Sequence, residues 1–180
     1  MKNKKHKLAM LLALLSLFIF PITVKAEVNN NAIMYYNTLP ENVRIFVGTK
    51  NVSFNSVDAI NYYSAMGDVM GLTTFRMAGD LVTGMTVEIK KGREDCLIHE
   101  VGHVIDTAGG GLYSLSSTPL FKQIYAAEKY NNTQYFYTNG TDNEQEYFAE
   151  SFNQYITNPK DMEKYNPLTY EYIKNIIMHL

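Results

Sequence analysis

The stretch "DCLIHEVGHVID", residues 95–106, places His99 and His103 four residues apart with Glu100 next to the first. In a helix, residues i and i+4 project from one face, so both imidazoles can aim a ring nitrogen at one ion. Glu100 can then reach a water at that ion without being a ligand. Apolar Leu97, Ile98, Val101, Val104 and Ile105 surround the pair, which fits a helix buried on most sides. Two histidines buried there without a partner would be costly. Beyond residue 26 the chain holds only three histidines, His99, His103 and His179, and two of them form this pattern.

Two histidines and an open position suit zinc, whose usual ligands are neutral imidazoles and a carboxylate. A third protein ligand is needed, and no further histidine follows at the spacing of the extended three-histidine pattern. The segment "NEQEYFAESF", residues 143–152, supplies Glu144, Glu146 and Glu150, of which the last two share a helix face at i and i+4. One can bind the metal while the other accepts a histidine's far N–H and fixes its tautomer. The spacing leaves open which does which.

"HEVGHVID" followed some 40 residues later by "NEQEYFAESF" resembles the catalytic domain of the anthrax lethal factor family, which includes small secreted Pro-Pro endopeptidases. The family pattern is HExGHxxD and then a helix of the form ExFAExF. The resemblance implies an α+β, zincin-like metalloprotease domain with a small mixed sheet, an active-site helix and a mainly helical C-terminal half. It also implies that Glu146 is the third metal ligand beside His99 and His103 and that Glu150 stands behind a ligand; Asp106 matches the family aspartate and is either structural or a support behind a ligand rather than catalytic. Family members carry a tyrosine seven residues before the ligand glutamate as oxyanion donor. Here that position is Asn139, with Tyr137 nine and Tyr135 eleven before Glu146. Tyr137 is the candidate donor, Tyr135 the alternative, and a missing donor the third possibility.

Other features bound the reading. Lys2, Lys4, Lys5 and Lys7 precede an apolar run from Leu8 to Phe20 and the ending "VKA", the pattern of a secretory signal peptide cleaved after Ala26. The expected division is residues 1–26 as signal and 27–180 as one catalytic domain, secreted, monomeric and without a membrane segment after cleavage. Five of the 16 basic residues and none of the 18 acidic ones lie in that leader, so the remainder carries 11 − 18 = −7. That balance argues against nucleic acid as a partner. The single cysteine, Cys96, excludes an intramolecular disulfide and reads as a small buried hydrophobe rather than a ligand.

Along the chain, "AIMYYNTLP" reads as a short helix ended by Pro40, and "NVRIFVGT" (residues 42–49) as a strand by its β-branched and aromatic content. "SVDAINYYSAMGDVMG" reads as a helix with Ser56 ahead of it. Strands are expected around "TTFRMA" and "MTVEIK", joined through "GDLVTG". Helices follow at residues 94–107, stopped by Gly109 to Gly111, then after Thr118, over "EQEYFAESFNQYI", and from Pro167.

The chemistry that follows is zinc-assisted hydrolysis of a peptide or protein substrate, with Glu100 as general base and a phenol as oxyanion donor. An extended substrate is expected to pair with an edge strand, for which "MTVEIK" is a candidate, the alternative being that it is an ordinary sheet strand with no substrate. A Pro-Pro bond is one candidate cleavage site, with Phe75 or tyrosines standing in for an absent tryptophan. The rival readings are a catalytically silent, zinc-stabilised binding module and a toxin component acting on a host protein.

Overall fold

The computed structural model describes residues 30–60, 69–111, 113–131 and 143–180. Its elements run α1 (Asn30–Thr38), α2 (Glu41–Gly48), β1 (Val52–Val57), β2 (Gly71–Ala78), β3 (Leu81–Lys90), a 3-10 turn (Glu94–Cys96) and α3 (Leu97–Gly109). A second 3-10 turn (Leu115–Ser117) precedes α4 (Pro119–Glu128), α5 (Glu144–Thr157), α6 (Pro159–Tyr165) and α7 (Pro167–Met178). This is the expected α+β architecture, with a small sheet first and helices afterwards.

The sheet has the order β1-β3-β2. β3 runs parallel to β1, with Phe54 opposite Val87, and antiparallel to β2, with Thr73 opposite Val87. Side chains alternate across a strand, so Met85, Val87 and Ile89 share one face, and all three are buried. Directly opposed residues lie on the same face, which puts Gly71, Thr73 and Phe75 of β2 there too. This face packs against α3, whose Leu97, Ile98, Val101, Val104 and Ile105 are buried in the same core.

Four expectations are corrected. Residues 42–49 are mostly α2, not a strand: Val43 and Val47 are fully buried while Ile45 is 59% exposed. In a strand all three would face one way; in a helix the middle one points opposite. Ser56 lies inside β1, a strand the composition did not reveal, so it caps no helix. The rest of that expected helix falls largely on residues 61–68, outside the described residues. "MTVEIK" belongs to the central strand, hydrogen-bonded on both sides, so β2 rather than β3 is the sheet edge beside α3. The hairpin is also tighter than expected, because β3 starts at Leu81 and only Gly79 (φ 61°) and Asp80 turn the chain.

The helical half closes around Phe121, Tyr147, Phe148 and Phe152, all fully buried. Thr118 caps α4 by accepting from the Phe121 N–H, and Asn143 caps α5 by accepting from Gln145 and Glu146. Buried Glu128 accepts from the Leu168 and Thr169 N–H groups and from the Thr169 hydroxyl, and so serves the first turn of α7 from another helix. Among the described residues no helix is long and apolar enough to cross a membrane.

α3 and α5 touch at Gly102. A Cβ there would sit 2.8 Å from the Ala149 Cα and 2.9 Å from its carbonyl oxygen, backbone atoms that cannot swing away. Gly102→Ala is therefore expected to cost about 1–3 kcal/mol of stability through overpacking. The check is urea unfolding, and a variant as stable as the parent would show that the two helices do not need this contact.

Candidate metal centre

α3 carries His99 and His103 on the face turned to α5, and α5 answers with Glu146 and Glu150 one turn apart. One donor atom from each of His99, His103 and Glu146 lies within 4.8 Å of the other two, a group able to hold a metal ion. His99 Nε2 is 3.3 Å from Glu146 Oε2 and His103 Nε2 is 3.6 Å from Oε1. A tetrahedral ion with bonds of about 2.0–2.1 Å sets its donors about 3.4 Å apart. The two nitrogens and the carboxylate suit such an ion by their chemistry and lie close enough together to share one.

The other side of His99 is held as well. Its Nδ1 is 3.1 Å from Glu150 Oε2, and Glu150 is buried and further fixed by Gln154 Nε2 (2.7 Å) and Asn153 Nδ2 (3.2 Å). A carboxylate at Nδ1 keeps the proton there and turns the Nε2 lone pair toward the metal position. The geometry therefore separates the two glutamates that spacing left open: Glu146 faces both Nε2 atoms and Glu150 the far nitrogen. Glu144 sits in the first turn of α5, outside the cluster.

Burial works against a charged His99, yet the hydrogen bonds to Glu146 and Glu150 and the charge of Glu100 outweigh it and push the ring up to about 10. Burial likewise opposes the Glu146 carboxylate, but His103 and His99 hold it well below the usual carboxylate range. Without a metal, a proton on His99 thus takes the place of the cation.

Glu100 is 5% exposed and lies outside the ligand group, although it precedes His103 by only three residues. Its Oε2 accepts from the Thr73 hydroxyl at 2.6 Å. Asp106 is buried one turn past His103 and accepts from the Ser116 N–H (2.6 Å) and hydroxyl (2.7 Å), which ties the end of α3 to the second 3-10 turn. Burial raises its pKa. Cys96 is half-buried at the edge of the core, where burial pushes its thiol up to about 11, and it is not in the metal group. Tyr135, Tyr137 and Asn139 lie outside the described residues. Sequence reasoning missed Thr73, Gln154 and Asn153. The last two stand three and four residues after Glu150, a helical spacing that was open to inspection, whereas Thr73 lies on a distant strand.

A buried helix bearing two histidines, a glutamate-bearing helix packed across it and a small mixed sheet behind define a zincin-like fold. The family described as "Anthrax toxin lethal factor, N- and C-terminal domain" matches residues 58–176, and the chain belongs to it. Among solved structures it is similar to the Pro-Pro endopeptidase of Paenibacillus alvei, with TM-score 0.59 and 19% identity over 84% of this chain and 94% of that one. At that identity the likeness concerns the fold. No functionally curated protein matches significantly.

Two results are expected. Near pH 7, metal uptake should release about one proton per ion, because His99, with its pKa at about 10, must lose its proton to bind. Calorimetric titration of the metal-free protein in buffers of different ionisation enthalpy measures this, and buffer-independent heats would contradict it. Glu150→Gln should weaken metal binding about 10–100-fold while leaving the three ligands in place. Competition with a chromophoric chelator reads that loss.

Proposed function

We propose that the protein is a secreted zinc-dependent endopeptidase. The observation that carries this reading is Glu100: a buried carboxylate beside the His99–His103–Glu146 group but not part of it. A metal site serving stability alone has no use for such a base. Family membership and the resemblance of the fold to a Pro-Pro endopeptidase support the same reading.

When bound, zinc supplies Lewis-acid polarisation of the scissile carbonyl and a lowered pKa for the attacking water. His99, His103 and Glu146 would hold it, and Glu150 would fix the orientation of His99 from its far nitrogen. Glu100 takes a proton from the attacking water and delivers it to the leaving amine. Tyr137 is the proposed donor to the oxyanion, with Tyr135 the alternative.

An extended peptide would lie along β2, the edge strand nearest Glu100, where main-chain pairing gives affinity and side chains give selectivity. Phe75, two residues beyond Thr73 on the same face and 37% exposed, offers an apolar surface for a proline ring or another apolar side chain. A Pro-Pro bond is the first candidate substrate, taken from the similar endopeptidase. Residues 1–26 would direct export, making an extracellular or surface protein the natural target.

Incubation of a diverse peptide library with the protein and with Glu100→Ala, read by mass spectrometry, tests the assignment. Loss of the general base should lower turnover by about 10²–10⁴-fold with zinc still bound. Cuts made equally by both would remove Glu100 from the mechanism. No cut by either, with zinc retained, would favour the binding-module reading.

A further inference from the structure

β2 does more at this site than present a sheet edge. Thr73 donates its hydroxyl hydrogen to Glu100 Oε2 at 2.6 Å, the short distance of an O–H···O⁻ bond to a charged acceptor. The same hydroxyl lies 3.2 Å from the Glu100 main-chain oxygen, so it sits over that turn of α3 whichever oxygen takes its single proton. Among the described residues no donor reaches Oε1. That oxygen instead rests against Gly71, where a Cβ would be 2.4 Å from Oε1 and 2.9 Å from the carboxyl carbon. Gly71 and Thr73 are two residues apart on one strand face, opposite Ile89 and Val87 of β3. One position therefore binds the carboxylate and the other leaves the space it fills.

We propose that Thr73 is a positioning residue for Glu100, and that Gly71 is its steric counterpart; the proposal rests on the endopeptidase reading for the reaction it serves. A general base must hold its accepting oxygen at the proton it will take. With Oε2 engaged by Thr73, the carboxylate cannot rotate freely, and Oε1 is the oxygen left to receive the water's proton and return it to the amine nitrogen. As the water oxygen bonds to the carbonyl carbon and the C–N bond breaks, the proton leaves Oε1 and the charge on Glu100 is restored. Thr73 keeps its own hydrogen throughout.

Four proteins test this: the parent, Thr73→Val, which keeps the β-branched shape without the donor, Thr73→Ser, which keeps the donor, and Gly71→Ala, whose Cβ meets the flexible end of Glu100. In Thr73→Val and Gly71→Ala, kcat should fall about 10–100-fold. KM should stay within about twofold, since the lost interaction acts in the transition state. Zinc content and melting temperature should hold, and Thr73→Ser should return to within about threefold of the parent.

Acetohydroxamate affinity of the zinc-loaded proteins gives a readout independent of turnover, because a hydroxamate donates to the same glutamate. It should weaken about tenfold in Thr73→Val and Gly71→Ala and recover in Thr73→Ser. The proposal is overturned if Thr73→Val keeps kcat, if Thr73→Ser falls as far as Thr73→Val, if the loss lies in KM or zinc content, or if hydroxamate affinity is equal in all four. If the parent cleaves no peptide yet hydroxamate affinity follows the expected order, the positioning stands and the endopeptidase reading fails.

Discussion

The approach of α3 to α5 at Gly102 and Ala149 is the constraint on which the rest of the structure depends. Two helices can bring the i, i+4 histidines and Glu146 around one ion, with Glu150 at the far nitrogen of His99, when their backbones nearly touch, and a hydrogen in place of a side chain permits that. The glycine stands between the two histidines in sequence, so the contact point and the metal position share one turn of helix. Buried Val101 and Val104 on α3, with Phe148 and Phe152 on α5, add the packing that holds the crossing in place. The site is thus formed by the core rather than added to its surface, and its geometry is as stiff as that core.

Around this crossing, successive layers restrict each functional group. Gln154 and Asn153 hold Glu150, Glu150 holds His99, and Ser116 is held to α3 by Asp106. On the opposite side β2 encloses Glu100. The pKa directions follow from the same arrangement. A partly buried acid and imidazole that would each be penalised alone are instead coupled, His99 upward and Glu146 downward, and the pair is poised to exchange a proton for a cation.

The edge-strand finding illustrates where reading one dimension fails. The segment "MTVEIK" lies just upstream of α3, the position that made it a candidate for the strand open to a peptide. Pairing with β1 closes that side, and β1 joins the sheet through a parallel register that no local pattern announces. Likewise Val43, Ile45 and Val47 satisfy a period of two, and the helix prevails because burying Val43 and Val47 together leaves Ile45 to solvent. Short apolar runs are ambiguous in this way, while the long periodic segments of α3, α5 and α7 were legible.

By itself the sequence determined the helical placement of His99, Glu100 and His103, the presence of a carboxylate helix downstream, the helix cap at Thr118, and the family pattern that joins them. These are local: they follow from residues within one or two turns of each other, whose side-chain directions a helix fixes. Tertiary structure alone decided which glutamate faces the two Nε2 atoms, which strand forms the sheet edge, and that Thr73 and Gly71 enclose a carboxylate 27 residues away from the threonine. Those facts depend on how α3 packs against α5 on one side and against the sheet on the other, which is set by the packing of the whole core.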